Sequence, residues 1–388
     1  MSEPARATPR VADDVMLDPL RVLCVSNMWP GEHDPDFGAF VAAMCAELGR
    51  FECALETAVI DRRGGGPARS AAKYLRLLMR TVRRARRADV IYAHFLFPTG
   101  AIALVAGAVA RRPGVVTAHG QDVANLRRCA VRTLTRPVLR GAAHVVAVSD
   151  YLGERLRTVE PDGAPVSVVN MGVDLERFTP ADRAAARARL GIAPDGPLVL
   201  AVGGLTERKN PLTLLQAFAR LRAERPNARL AFVGDGPLAA TVDAGIRHLL
   251  LEDAVLRPGA VEHAAVADWV DACDVLAMVS RVEPLGVAAL EALAGGRPVV
   301  VTAVGGAREV VPADGPGRGV DPGDPAAIAR ALGELIDAPP GVDECRAAAA
   351  PHALALQARR VFALLRTAAD EAAAERAGHP ADRASGGA

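Results

Sequence analysis

Two glutamates eight positions apart stand in the stretch "EPLGVAALEALAGGRPVV", residues 283–300. Glu283 lies in a turn, and Glu291 is the one polar residue of a run that otherwise predicts a buried helix opening at Gly286. An unpaired buried carboxylate is costly, so we expect a hydrogen-bonding partner for Glu291. Because a carboxylate can accept two parallel hydrogen bonds, the neighbouring hydroxyl groups of a ribose or a hexose would suit it.

A glycine-rich loop with two cations follows a predicted strand at "GGLTERKN", residues 203–210. Its glycines, beginning with Gly203, allow close backbone approach, and Arg208 and Lys209 supply positive charge. Asn210-Pro211 begins the next helix, whose first amides face the loop. The combination favours a phosphate ligand, although basic residues at the start of a helix can equally be solvated.

Two histidines end predicted strands: His94 in "DVIYAH" and His119 in "TAHGQD". Ligands of open parallel sheets bind beyond the carboxyl ends of the strands, so both are candidate site residues, although a lone histidine is more often structural. A long loop after the first strand adds Phe37 and Gly38. Its "DPD" triplet, 34–36, resembles a metal-binding pattern, but Asp- and Pro-rich loops produce such triplets by chance. We therefore predict no metal site.

Short apolar runs alternate with helical patterns from residue 21 onward, which predicts parallel sheets covered by helices on both faces. Polar, Pro- and Gly-containing sequence interrupts the rhythm between residues 170 and 197, so two doubly wound units are expected. The candidate strands are 21–26, 54–60, 89–94, 114–120, 144–149, 166–170, 198–204, 229–236, 274–280 and 297–302.

The predicted domain boundaries follow that interruption. We predict a disordered N-terminus over 1–19, a Rossmann-like acceptor-side domain over 20–175, a donor domain over 176–355, a C-terminal helix over 356–378 that packs back toward the first domain, and a disordered tail over 379–388.

Composition limits the class of protein. With 388 residues, a net charge of +1 and 4% aromatic residues, the chain lacks the basic excess and the stacking rings of a nucleic-acid binder. The six cysteines form no CxxC pair and are interpreted as reduced core residues. No signal peptide is evident, and the longest apolar run, 101–110, is too short to span a bilayer. A cytoplasmic protein is expected.

Taken together, the motifs resemble those of the GT-B retaining glycosyltransferases, specifically the family-four, or group 1, enzymes. The E-x7-E pair of Glu283 and Glu291 carries most of the resemblance, and "GGAREVV" (305–311) follows it at the usual distance. "TAHGQD", "VVNMGVDLERFTP" (168–180), "GGLTERKN" and "GDGP" (234–237) also resemble family segments, in the same order. The resemblance implies an α/β fold of two doubly wound Rossmann-like parallel-sheet domains that face each other across a cleft.

The resemblance also implies roles for the candidate residues. Glu291 would bind the donor ribose, Glu283 would lie beside the transferred sugar, and His119 would reach that sugar across the cleft. The diphosphate and sugar would be held by Gly203, Arg208, Lys209 and the backbone amides of Leu285, Gly286 and Val287. The acceptor side would include Phe37, Gly38 and His94. One departure is Gly204, since many family members have an arginine there.

The implied reaction moves a hexose-type sugar from a nucleotide-diphosphate sugar to a hydroxyl acceptor, with retention and without a metal or other cofactor. The acceptor would be a lipid-linked or polysaccharide sugar, or a small natural-product aglycone or aminocyclitol. Two alternatives stay open: another sugar-nucleotide enzyme of this fold, such as an epimerase or phosphorylase, and an inactive nucleotide-sugar binding protein.

Residues 70–88 predict a basic amphipathic helix. Its predicted apolar face comprises Leu75, Leu78, Met79, Val82 and Ala85, and its opposite face comprises Arg76, Arg80, Arg83, Arg84 and Arg87. The helix fits either a solvated outer helix or peripheral contact with the anionic inner face of a membrane.

Overall fold

The protein is described by a computed structural model over residues 18–34, 37–62, 64, 66–312 and 314–378. The segments predicted to be disordered, 1–19 and 379–388, lie outside these ranges apart from Asp18 and Pro19. Residues 35 and 36 of the "DPD" triplet also lie outside them.

The N-terminal half of the chain forms one six-stranded parallel sheet in the order β2-β1-β3-β4-β5-β6. Val, Leu and Ile runs form its central strands because helices cover both faces and exclude water from them. The strands are β1 (Leu20–Ser26), β2 (Cys53–Val59), β3 (Val90–His94), β4 (Gly114–Ala118), β5 (His144–Ala147) and β6 (Val166–Val168).

Six helices connect these strands and cover the sheet. Ser149 caps the sixth, since its Oγ accepts a hydrogen bond from the backbone N–H of Leu152 at 3.3 Å. The helices are α1 (Ala39–Leu48), α2 (Pro67–Ala85), α3 (Ala101–Ala110), α4 (Gln121–Asn125), α5 (Cys129–Gly141) and α6 (Asp150–Val159).

The buried face of α2 differs from the predicted one. Leu75 and Met79 were assigned to the apolar face, but they are 58% and 43% exposed. The helix buries Leu77 and Thr81 in their place, together with Ala85, which was predicted on that face. Thr81 is accommodated because its hydroxyl donates to the carbonyl of Leu77 at 2.8 Å, so a polar residue occupies the stripe that packs on the sheet.

The C-terminal half forms a second six-stranded parallel sheet in the order β12-β11-β10-β7-β8-β9. Its strands are β7 (Leu198–Val202), β8 (Arg229–Val233), β9 (Val255–Gly259), β10 (Val275–Met278), β11 (Val299–Thr302) and β12 (Gly317–Val320). The further helices are α7 (Arg183–Arg189), α8 (Pro211–Glu224), α9 (Ala239–His248), α10 (Val266–Ala272), α11 (Val287–Ala294), α12 (Pro325–Asp337), α13 (Val342–Ala349) and α14 (Leu354–Gly378).

In both sheets the chain reverses the direction in which it adds strands: at the neighbours β1 and β3 in the first, and at β7 and β10 in the second. Such switch points open a crevice beyond the strand ends. The loops after β1, β4, β7 and β10 are the ones that carry most of the residues with predicted chemistry.

The last helix, α14, returns to the N-terminal half. The ring of Phe362 stacks on that of Phe51 with centroids 5.5 Å apart, and Arg376 donates to the carbonyl of Arg111 at 3.0 Å. The boundaries at residues 175 and 355 stay predictions. Within the described ranges no helix combines the length and the apolar character that crossing a bilayer requires.

Candidate functional site

The two halves enclose a cavity of about 340 Å³, called the cleft cavity below. It brings together seven of the predicted site residues from distant parts of the chain. They are His119, Arg208, Lys209, Glu283, Leu285, Gly286 and Val287. Gly203 lies next to it, in the lining of a small cavity of about 30 Å³ that also touches Lys209.

The loop after β7 is held in place by its own side chains. Thr206 accepts a hydrogen bond from the backbone N–H of Lys209 at 3.4 Å and so caps the 3₁₀ turn that carries both cations. Asn210 adopts the left-handed conformation with φ 58°, which asparagine tolerates better than most residues. Its Nδ2 donates to the carbonyls of Val279 and Pro322 at 3.2 and 2.6 Å. The loop is thereby fixed to the end of β10.

Glu283 lies at the centre of the charges in the cleft. Its Oε2 accepts hydrogen bonds from Lys209 Nζ at 2.7 Å, from Ser280 Oγ at 2.8 Å and from the Arg208 guanidinium at 3.4 Å. Burial favours the neutral acid, but the two cations outweigh it and hold the pKa of Glu283 below its ordinary value. Two cations share one carboxylate, so the cluster keeps net positive charge toward the cavity.

The helix α11 begins at this cluster. Gly286 has φ 101° and ψ 48°, a left-handed conformation that favours glycine, and a Cβ there would lie 2.7 Å from Met278 Cε. The first amides of a helix have no acceptor within the helix, and Val287 and Ala288 line the cleft cavity. The predicted helix start is therefore a place where an anion meets free N–H groups.

Glu291 has the partner that the sequence required, but the partner was not predicted. Its Oε1 lies 2.8 Å from Nε2 of His263, whose Nδ1 lies 3.1 Å from an Arg177 nitrogen. Because a guanidinium can only donate, Nδ1 accepts and Nε2 carries the proton that is donated to Glu291. Glu291 is 5% exposed and does not line the cleft cavity. Its Oε2 has no hydrogen bond among the described residues.

His119 faces the cavity at the end of β4, where Asp122 orders the backbone around it. The Asp122 carboxylate accepts from the backbone N–H groups of Leu96, His119 and Gly120 at 3.0, 3.1 and 2.8 Å. Burial lowers the pKa of His119 to about 3, so the ring is neutral at pH 7. Burial also raises the pKa of Asp122. No role for Asp122 was predicted, although it stands three residues after the histidine, at the start of α4.

The predicted acceptor-side residues do not line the cleft cavity. His94 has no exposed surface and lies behind His119, with its Nδ1 3.0 Å from His119 Nε2. His94 thus touches the cavity-lining histidine rather than the cavity itself, and its acceptor-side role stays a prediction. Phe37 and Gly38 precede α1, and it is Phe40, on the first turn of that helix, that reaches the cavity.

These two parallel α/β units, with a cationic cleft between the ends of their strands, define the GT-B class of glycosyltransferase. The sequence comparisons identify the family. The model "Glycosyl transferases group 1" matches residues 182–351, and the model "Glycosyltransferase Family 4" matches residues 36–177. The chain belongs to the group 1 glycosyltransferases, as predicted.

Curated relatives carry a more specific name. The D-inositol 3-phosphate glycosyltransferase of Thermobispora bispora is 34% identical over 286 residues, which is 69% of this chain and 67% of the relative. The protein of that name from Streptomyces scabiei is 39% identical over 227 residues, 56% of this chain and 51% of the relative. The chain thus spans between about half and two thirds of the length of the curated relatives it matches.

Solved structures share the fold. HepE from Anabaena in complex with UDP-glucose superposes with a TM-score of 0.66 at 22% identity, covering 92% of this chain and 100% of that chain. WaaG, a glycosyltransferase involved in lipopolysaccharide biosynthesis, superposes with a TM-score of 0.68 at 17% identity, covering 89% and 99%. The predicted fold class is confirmed.

Proposed function

We propose that the protein transfers a hexose-type sugar from a nucleotide-diphosphate sugar to a hydroxyl group, with retention of the anomeric configuration. The observation that carries the proposal is the 2.7 Å contact between Lys209 and Glu283 at the start of α11, in a cavity that His119 borders from the other half. Cations, free helix amides and a carboxylate there match the phosphate and hydroxyl groups of such a donor.

The diphosphate is the leaving group and gains negative charge as the glycosidic bond breaks. Arg208, Lys209 and the first amides of α11 would stabilise that charge, and such preorganised donors are the largest single contribution in many enzymes. The side chains of the protein thus supply the neutralisation, and the proposal includes no metal ion or other cofactor in this step.

The two glutamates would select the sugar and the ribose. All three contacts of the Glu283 carboxylate are made by Oε2, which leaves Oε1 for a hydroxyl group of the transferred sugar. His263 similarly binds Oε1 of Glu291 and leaves Oε2 for the ribose. Neutral His119 would exchange a hydrogen bond with the sugar rather than supply a proton at pH 7.

Retention would follow from attack on the face that the diphosphate leaves. The bond between the anomeric carbon and the β-phosphate oxygen breaks, and the acceptor oxygen bonds to the same carbon. The acceptor proton passes to the leaving phosphate, so no protein nucleophile is needed. Closure of the two halves would exclude water and limit hydrolysis of the donor.

Two arginines favour an anionic acceptor. Arg127 and Arg155 line the N-terminal side of the cleft cavity, and neither was predicted. A phosphorylated polyol would place its phosphate near these groups, in keeping with the D-inositol 3-phosphate in the name of the relatives. Neutral acceptors, including lipid-linked sugars and small aglycones, should be tested beside the phosphorylated polyol, and we expect them to be used less well.

The test begins with a thermal-shift screen of UDP-, GDP-, ADP- and TDP-sugars. It continues with product analysis on acceptors including D-inositol 3-phosphate, and the anomeric configuration is read by NMR. Lys209→Ala should lower kcat/KM about 10²- to 10³-fold, because one donor to the developing charge is lost. Lys73→Ala, on the outer helix α2, is the matched control and should retain activity. Donor binding without transfer to any acceptor would identify an inactive binding protein instead.

A further inference from the structure

Three residues with metal-binding side chains meet behind the cleft in the N-terminal half. Cys24 lies on β1, Cys45 on α1 and His94 at the end of β3. They are 0%, 3% and 0% exposed, and one ligand atom from each lies within 4.8 Å of the others. The cluster was not predicted, because the three residues are far apart along the chain and match no metal-ligand spacing.

The ring of His94 has one nitrogen that the rest of the protein leaves unsatisfied. Nδ1 lies 3.0 Å from His119 Nε2, whereas Nε2 is buried and has no hydrogen-bond partner among the described residues. Buried polar atoms in folded proteins nearly always have a partner, and an exception calls for an explanation such as an ion. Two cysteine sulfur atoms lie nearby, and thiolate ligands select thiophilic metal ions.

Cys45 Sγ donates a hydrogen bond to Cys24 Sγ at 3.2 Å, a contact that leaves Nε2 of His94 without a partner. A disulfide requires about 2.05 Å, so the atoms would have to approach by roughly 1.1 Å, and Nε2 of His94 would still have no partner. Tetrahedral zinc with Zn–S bonds of about 2.3 Å places two sulfurs roughly 3.8 Å apart, a shift about half as large. Only the metal satisfies all three ligand atoms.

We propose that Cys24, Cys45 and His94 are the three protein ligands of a thiophilic metal ion, Zn²⁺ in the first place, at a buried site behind the cleft. Two thiolates and a divalent ion sum to zero charge, so the loaded site buries no net charge. Cu⁺ would use the same ligands but leave one negative charge buried. This site is separate from the "DPD" triplet, where no metal was predicted, and from the phosphate-binding loops.

Binding would also fix the orientation of the cleft histidine. When Nε2 of His94 ligates the metal, its Nδ1–H must donate to His119 Nε2, as a metal-bound histidine commonly donates its other N–H. His119 then carries its own proton on Nδ1. The relevance of this orientation to catalysis rests on the proposed function. The metal site itself is independent of that function.

The experiment uses the full chain, purified without chelators. Metal content is measured by mass spectrometry, and the protein is reconstituted with Co²⁺, whose thiolate charge-transfer absorption reports sulfur ligands. Wild type should bind one equivalent and show the cobalt band. Cys24→Ser, Cys45→Ser and His94→Gln should each lower affinity at least 10-fold, whereas exposed Cys129→Ser and buried Cys273→Ser should match wild type.

The wild-type cobalt spectrum keeps the test decisive if a variant fails to fold. Absence of both the band and bound metal in folded wild type would overturn the proposal, as would a Cys24–Cys45 disulfide found by non-reducing mass spectrometry. Retention of full affinity in all three site variants would do the same. Stoichiometric Cu⁺ bound through these residues, without Zn²⁺, would support the site and change the ion. Imidazole ¹⁵N shifts of His119 that move on metal loading would support the tautomer consequence.

Discussion

At the scale of single residues, Glu291 shows how a buried charge is stabilised by groups that are distant in sequence. The His263 ring is 28 positions away along the chain and Arg177 is a further 86 from His263, yet they form one chain of hydrogen bonds. An acid in an apolar helix therefore signalled that a partner exists, but not which residue it is. The sequence predicted that Glu291 needs a partner. The partner is His263 because the 3₁₀ turn 263–265 lies beside α11 in the folded protein.

A gain-of-function substitution is expected at Gly204, the position at which the family resemblance implies an arginine. Its backbone is not left-handed, and a Cβ there would lie 3.4 Å from the carbonyl of Asp235, so a side chain fits with little adjustment. Gly204→Arg should add a phosphate contact to those of Arg208 and Lys209. We expect about 3- to 10-fold tighter donor binding, in line with ~1 kcal/mol for a half-exposed charged contact.

Isothermal titration with the donor found in the screen measures this effect. Gly114→Arg is the matched control, because open space surrounds that glycine and it lies in the other half. If Gly204→Arg binds the donor no more tightly than Gly114→Arg does, the loop after β7 does not contact the diphosphate.

At the scale of elements, the ten predicted strands are all present, while β9 and β12 were missed. The missed strands are the two edge strands of the second sheet. Their sequences are "VLRPG" for β9 and "GRGV" for β12. Edge strands tolerate proline and glycine, so their composition resembles that of loops. Pattern alone therefore predicts the strands that have apolar runs, including the edge strands β2 and β6, and misses the strands whose composition is that of a loop.

We propose that the exposed face of α2 makes peripheral contact with an anionic membrane. Leu75 and Met79 stand among the arginines at 58% and 43% exposure, and α3 beside them exposes Val105 and Val109. Apolar side chains can enter the headgroup region while each nearby arginine contributes ~1 kcal/mol. The double variant Leu75→Ser/Met79→Ser should lose most binding to phosphatidylserine vesicles in a flotation assay.

The control for that assay is Leu250→Ser, which removes an 80% exposed leucine from the C-terminal half. It should float like the wild type. Equal flotation of wild type with neutral and with anionic vesicles, or no flotation with either, would leave α2 as a solvated outer helix.

At the scale of the whole molecule, the sequence predicted two sheets and a cleft but not how the halves meet. The carboxylate of Glu309, in the C-terminal half, accepts hydrogen bonds from the backbone N–H groups of Asp150 and Tyr151 at 2.7 and 2.8 Å. It thus caps α6 of the N-terminal half, next to the site where Gly306 packs on Ser149. No local pattern indicates such a contact, because its two sides are more than 150 positions apart.

The Glu309 contact should stabilise the closed arrangement of the two halves, since a carboxylate at a helix N-terminus gains from both the free amides and the helix dipole. Loss of the two hydrogen bonds in Glu309→Ala is expected to cost ~1–2 kcal/mol of closure, which lowers kcat/KM about 5- to 30-fold. Small-angle scattering should show a larger radius of gyration for this variant when the donor is bound. Glu334→Ala, which removes an exposed glutamate paired with Arg318 within the C-terminal half, should change neither quantity. If Glu309→Ala leaves both the radius and kcat/KM at wild-type values, closure depends on the apolar contacts between the halves, such as that of Pro284 against Gly120, and not on this carboxylate.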